Sequence, residues 1–141
     1  MLKSIEQDLV LVNNAINFAV DYVALLNIRF PNKIDFQVDA SVGQNNYDYI
    51  PVMSLQLLIE NAVKHNIPDD NGKLSIRIFR KDKNLIVHNS INKTEDFNSK
   101  DSFGLGLKNI YERYRILGER SPQIRNTENF FEVELPITQK K

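Results

Sequence analysis

Two hairpin-like segments in the second half of the chain constrain its fold most. Residues 73–89 read KLSIRIFR, KDK, NLIVHN, and residues 122–136 carry PQIRN and then FFEVELP. Each pairs two strand-type runs, rich in β-branched and aromatic residues, across a short polar connection. In the last run Phe131, Val133 and Leu135 face one way. Side chains along a strand alternate between faces, so such a run needs one covered face and tolerates one wet face. Hairpins of this kind predict a mixed, mostly antiparallel sheet with a layer packed on one side.

The covering layer is written in helical spacing. In LQLLIENAVKHN (55–66), Leu55, Leu58, Ile59, Ala62 and Val63 follow the i, i+3, i+4, i+7, i+8 pattern of a core face. This helix is predicted near 52–66, opening after Pro51. A second, LGLKNIYERYRIL, is closed by Gly118 as a C-terminal signal. Earlier, KIDFQVDA alternates Ile34, Phe36, Val38 and Ala40 as a half-buried strand, and a polar loop through Asn45 and Asn46 follows it.

The first thirty residues differ. Leu2, Ile5, Leu9, Val12, Ile16, Ala19, Val23 and Leu26 recur at alternating spacings of three and four, a heptad seam ended by Pro31. One reading is a long surface helix on a core. The other is a helix of a bundle or dimer, which a strict two-per-heptad stripe favours because globular helices carry a wider one. The order is therefore helix, strand, helix, strand, strand, helix, strand, strand. The fold class is α+β, a two-layer sandwich with helices on one face of a mixed sheet, preceded by one long bundle-type helix. Residues 1–30 form one unit and 31–141 the second.

Composition narrows the function classes. At 141 residues and 42% hydrophobic, the chain can bury a sizeable core. Eighteen basic residues balance eighteen acidic ones, so no broad basic face points to nucleic acid. There are no cysteines, which excludes a disulfide scaffold and a cysteine-ligated zinc site. No apolar run approaches the ~18 residues that span a membrane, and no signal-peptide pattern opens the chain. Met1 precedes a helix pattern already in stride, as in a piece of a longer protein.

Two motifs carry chemistry. Glu60, Asn61, Lys64 and His65 crowd the polar side of the core helix, spaced so that Glu60–Lys64 and Asn61–His65 are four apart. Alone they describe a solvated helix face. The run FGLGLKN (103–109) then places Gly104 and Gly106 at the mouth of a helix, after a long polar loop over 90–104. Glycines there let the backbone approach a ligand, and the first amides of a helix are unpaired donors at its positive end. Neither a Walker A loop nor a Rossmann fingerprint occurs. Together the motifs predict a helix that supplies metal and phosphate ligands, a loop that folds over a nucleotide, and Asn89 within reach of its base.

At these residues the chain resembles a known family. LQLLIENAVKH resembles the N box of the GHKL ATPase superfamily, and GLGLKN its lid-end glycine box. YVALLNIRFPNKIDFQVD, the proline before the N box and GLGLKNIYERY together look like LytS-type sensor histidine kinases. The resemblance implies a Bergerat ATP-binding sandwich with ATP as substrate and Mg²⁺ as cofactor. It makes Asn61 the Mg²⁺ ligand, Glu60 the catalytic carboxyl residue that orients water or polarises the acceptor, Lys64 a phosphate contact and His65 a phosphate or ribose contact. Asn89 and Ile91 fall in the adenine box, and Gly104, Leu105, Gly106, Leu107, Lys108 and Asn109 form the phosphate-gripping lid end. It also implies an upstream phosphoacceptor helix and sensor region, a homodimer through residues 1–30 (the second helix of a dimerisation hairpin), a response-regulator partner and a cytoplasmic domain of a membrane-anchored parent. Nucleic acid is not among the implied partners.

The chain departs from the family in two places. The usual Asp-x-Gly-x-Gly reads Asn89-Ser90-Ile91 here, with the second glycine missing, and Glu128–Asn129 replace a Gly-Thr before the last strand. Neither His65 nor His88 resembles a phosphoacceptor. Two other readings follow from these departures: a non-catalytic pseudokinase module that binds partners, and another GHKL ATPase.

Overall fold

The computed structural model describes residues 8–43, 45–66, 73–91 and 104–140. In chain order these form β1 (Leu9–Leu11), α1 (Val12–Arg29), β2 (Ile34–Val38), β3 (Asp48–Pro51), α2 (Ser54–Asn66), β4 (Leu74–Lys81), β5 (Asn84–Ser90), α3 (Gly104–Leu117), β6 (Gln123–Asn126), β7 (Phe130–Pro136) and β8 (Thr138–Gln139).

The main sheet has five strands in the order β2-β4-β5-β7-β6. Only β2 and β4 run parallel; the other pairs are antiparallel. Both expected hairpins form, the first turning at Asp82 with φ of 55°. Leu74, Ile76 and Ile78 of β4, Leu85 and Val87 of β5, and Phe131, Val133 and Leu135 of β7 all enter one core. Leu55, Leu58, Ile59, Ala62 and Val63 of α2 meet them, as the helical spacing required. The α+β class with helices on a mixed sheet is thus the observed one.

The first helix differs from expectation. It starts at Val12, because Leu9–Leu11 form a strand paired antiparallel with β3. Val12, Ala19 and Val23 are buried, and Ile16 and Leu26 pack against the same core. The three-and-four spacing therefore serves a helix that packs on α2, β2 and β3 of its own domain. Leu2 and Ile5 lie outside the described residues.

Strands β1, β3 and β8 make a second, three-stranded sheet that the side-chain pattern did not announce. It is tied to the main sheet through Asp48. This buried carboxylate pairs with Arg80 of β4, and accepts from Gln139 Nε2 at 2.9 Å and Asn45 Nδ2 at 3.0 Å. A buried charge persists only when it is paired and its lone pairs are satisfied. α3 is anchored at its later half. Tyr114 is fully buried and donates to the Pro136 carbonyl at 2.8 Å, and burial pushes its hydroxyl pKa well above the ordinary tyrosine value. Gly118 then ends the helix at φ of 71°, a left-handed C-terminal cap that glycine adopts without strain. No helix among the described residues is long and apolar enough to cross a membrane.

Candidate functional site

The four polar residues of α2 do not share one environment. Glu60 and Lys64 are exposed, His65 is half-buried, and Asn61 is buried at 8% exposure. A helix turns ~100° per residue, so adjacent Glu60 and Asn61 point to different flanks. Glu60 leans to α1, where its Oε1 accepts from the Tyr22 hydroxyl at 3.3 Å. Burial, and then the Glu60 carboxylate, raise the Tyr22 pKa. Asn61 has a different character. Its Nδ2 is sealed from solvent and has no hydrogen-bond partner among the described residues. A buried donor left unpaired costs about 1–3 kcal/mol, so an amide held this way calls for an acceptor that the described residues do not supply.

α3 packs on α2. Arg113 Nη1 donates to the Val52 carbonyl at 3.1 Å, which sets the later half of α3 against the start of α2. The helix opens at Gly104, so the glycine box is its first turn rather than a loop before it. No acidic residue occupies that turn. Its first amides are therefore unpaired donors at a positive helix end that no carboxylate of the same turn offsets. Among the described residues, a Cβ placed on Gly106 would meet nothing within 4 Å. Leu107 packs against the core, while Lys108 and Asn109 are exposed. The side-chain surroundings of Leu105, and residues 92–103 of the lid expected over 90–106, lie outside the described residues.

The third part of the site is the end of β5, on which α2 also packs. Asn89 is in register with Ile76 on one side and Phe131 on the other. It follows Leu85 and Val87 on the core-facing side of the sheet and is only 4% exposed. Its Nδ2 donates to the Ser90 carbonyl at 2.9 Å. His88 points to the opposite, open face, as the strand phase required, and its Nδ1 lies 3.0 Å from Glu132 Oε1. Ile91 packs partly against the core, and its amide bonds the Asn129 carbonyl at 2.9 Å. Strand β5 is thus closed by the turn at Glu128 and Asn129.

The helix that carries Asn61, α2, packs on α3 and on β5, the strand that carries Asn89. Glu60 stands apart on the α1 flank. Among the described residues no cluster of three or more His, Asp or Glu could hold a metal ion by itself. A small hard cation that arrives with phosphate oxygens needs only one or two protein ligands; on Asn61 the atom of that type is the amide oxygen, while the unpaired Nδ2 is a donor suited to a phosphate oxygen. Sequence reasoning passed over Tyr22 and Arg113. Both act across a helix–helix contact, which no local pattern in the chain reveals.

No family model matches the chain. Comparison with solved structures covers most of its length. The cytoplasmic segment of histidine kinase QseC superposes with a TM-score of 0.59 at 12% identity, covering 94% of this chain and 78% of that one. The nucleotide-free catalytic domain of histidine kinase ThkA gives 0.55 at 19% identity, covering 94% and 97%. The fold is that of histidine kinase catalytic domains. By sequence, the relatives are sensor kinases. A sensor-like histidine kinase of Staphylococcus epidermidis is 35% identical over 77 residues, which is 53% of this chain and 15% of the relative. Sensor protein kinase HptS of Staphylococcus aureus is 36% identical over 76 residues, 54% of this chain and 14% of HptS. The matched stretch is thus a small part of either relative's length.

Proposed function

We propose that this chain is the MgATP-binding catalytic part of a LytS-type sensor histidine kinase, whose full-length reaction transfers the γ-phosphoryl group of ATP to a histidine outside these residues. One observation supports the reading: a buried asparagine, Asn61, whose Nδ2 has no hydrogen-bond partner among the described residues, sits on the helix that packs on α3, and α3 opens at Gly104. Packing alone gives no reason for a polar group there.

In this reading Asn61 holds Mg²⁺, and the first amides of α3, from Gly104 through Asn109, hold the phosphates. Mg²⁺, when bound, neutralises charge on the phosphates. Lys64 and His65 line the phosphate and ribose side, and Asn89 and Ile91 border the base. Glu60 is the catalytic carboxylate that orients water or polarises the acceptor, and it accepts from Tyr22 on the α1 side. Catalysis of this kind rests on positioning and charge neutralisation more than on covalent chemistry. The parent would pass the phosphoryl group to a response regulator and act in the cytoplasm below a membrane anchor, with sensor region and phosphoacceptor helix upstream. Dimerisation through residues 1–30 would have to use the outer side of α1. Phe18, Leu25 and Ile28 are exposed there at 58%, 65% and 76%, whereas Val12, Ala19 and Val23 are taken up by the domain's own core.

The test is calorimetric titration of the whole chain with ATP and Mg²⁺, with and without a chelator. The reading expects saturable binding that the chelator weakens, and no acid-labile label on this chain alone from radiolabelled ATP. Absence of nucleotide binding would favour the second reading, a non-catalytic module. The observation behind that reading is Ile91, a packed side chain where the family has a glycine.

A further inference from the structure

Helix α1 carries almost no charge. Of its 18 residues only Asp21 and Arg29 are charged, in a chain where 26% of residues are. The shorter α3 carries Lys108, Glu112, Arg113 and Arg115. A helix with one wet face normally keeps its charged residues there. α1 instead exposes Phe18, Leu25 and Ile28, on the side away from the buried Val12, Ala19 and Val23. Apolar side chains gathered on one exposed helix face mark a contact surface.

The two charges say what covers that face. Asp21, Leu25 and Arg29 are spaced four apart and form one row along the outer side of the helix. Neither charge has an ion-pair partner among the described residues, and the Arg29 guanidinium lies over the Phe30 ring, 5.2 Å from its centroid. Rows of this spacing on two helices align when the helices cross at about −50°, the commonest packing class. Two copies of this row that run in the same direction, in register, set like charges side by side. Turned end for end about Asp21 or about Arg29, they bring two like charges together at the axis. Turned end for end about Leu25, they set each Asp21 beside Arg29 of the second copy and Leu25 against itself.

We propose that the outer face of α1 pairs with the same face of a second copy of this chain, antiparallel, about a two-fold axis at Leu25. Such a contact is self-complementary, so each favourable pair occurs twice. It is not the pairing of a dimerisation hairpin, because the seam residues Val12, Ala19 and Val23 stay in the domain's own core. One helix face lies at the small end of interface sizes, below about 1,200 Å² in total, so the dimer should be weak, with Kd in the micromolar range or above. The proposal goes beyond the nucleotide-binding reading and does not depend on it.

The experiment is sedimentation velocity of the whole chain over a range of concentrations, as wild type, Asp21→Arg, Arg29→Asp and the double reversal, with thermal unfolding to confirm that each folds. The wild type should move from monomer to dimer as concentration rises. Each single reversal should weaken association about tenfold or more, because it replaces two opposite-charge contacts with two like-charge ones. The double reversal should restore the wild-type affinity. The chain has no cysteine, so Leu25→Cys supplies a single thiol, and mild oxidation should link two copies through it. Phe18→Cys should not link, because its two copies stand roughly 20 Å apart across the axis, beyond the ~7 Å Cα separation that a disulfide spans. A chain that stays monomeric at every concentration overturns the proposal. A dimer indifferent to both single reversals, or one linked as readily through Phe18→Cys, overturns the pairing about Leu25 and assigns association to another surface.

Discussion

Replacing Asn61 with alanine separates a ligand-directed side chain from a structural one, because the two roles predict opposite effects on the unliganded protein. Nδ2 of Asn61 is buried without a partner among the described residues, a state that costs about 1–3 kcal/mol. Alanine removes that penalty. It also removes the packing of the amide group, a loss of about the same size as one or two buried methylenes at ~0.8 kcal/mol each. The two nearly cancel, so the stability of unliganded Asn61→Ala should stay within ~1 kcal/mol of wild type, or ~3–4 °C in Tm for a domain of this size. The liganded protein should behave differently. MgATP at a hundred times its Kd stabilises the wild type by ~2.7 kcal/mol, about 8–11 °C. If the variant binds a hundredfold more weakly, the same concentration gives only ~0.4 kcal/mol. Differential scanning fluorimetry with and without MgATP reads both numbers. A variant that keeps the full MgATP shift refutes the assignment of Asn61. A variant that loses more than ~3 kcal/mol without ligand shows that the side chain has an internal structural role, and the inference from its unpaired amide fails.

Ile59→Ala, at a fully buried position on the sheet side of α2, should lose about 2–5 kcal/mol in urea unfolding; a loss below ~1 would mean that α2 is not the core helix. Asp48→Asn should cost about 3–5 kcal/mol by leaving the Arg80 guanidinium without its carboxylate, whereas the exposed pair of Glu112 and Arg115 should be worth less than ~1 when Glu112 is changed to Gln. Tyr114→Phe tests the buried hydroxyl. Because the folded-state pKa lies above the unfolded one, the folded protein binds the proton more tightly, so the contribution is complete below pH ~10 and is lost as pH rises further. Wild-type stability should therefore fall more steeply between pH 9 and 11 than that of the variant, and parallel curves would remove Tyr114 as the cause.

Local spacing was enough for α2, α3 and the two hairpins, because each buries one face whose period is readable along the chain. The α+β class follows from them. The glycine box and the Asn-bearing helix were legible for the same reason, being short motifs on strongly periodic elements. The smaller sheet was not legible. Its strands are two to four residues long, too short for a pattern of their own, and they exist only because Leu9 meets Pro51 and Tyr49 meets Thr138 across long stretches of chain. The seam of the first helix posed a different problem. Spacing says that Val12, Ala19 and Val23 must be buried but not against what, and only the packed structure assigned them to the domain's own core. The polar residues show the same limit at the scale of single atoms. The chain placed Glu60 and Asn61 side by side, but the neighbouring helices decided that one faces Tyr22 while the other is buried with an unpaired amide.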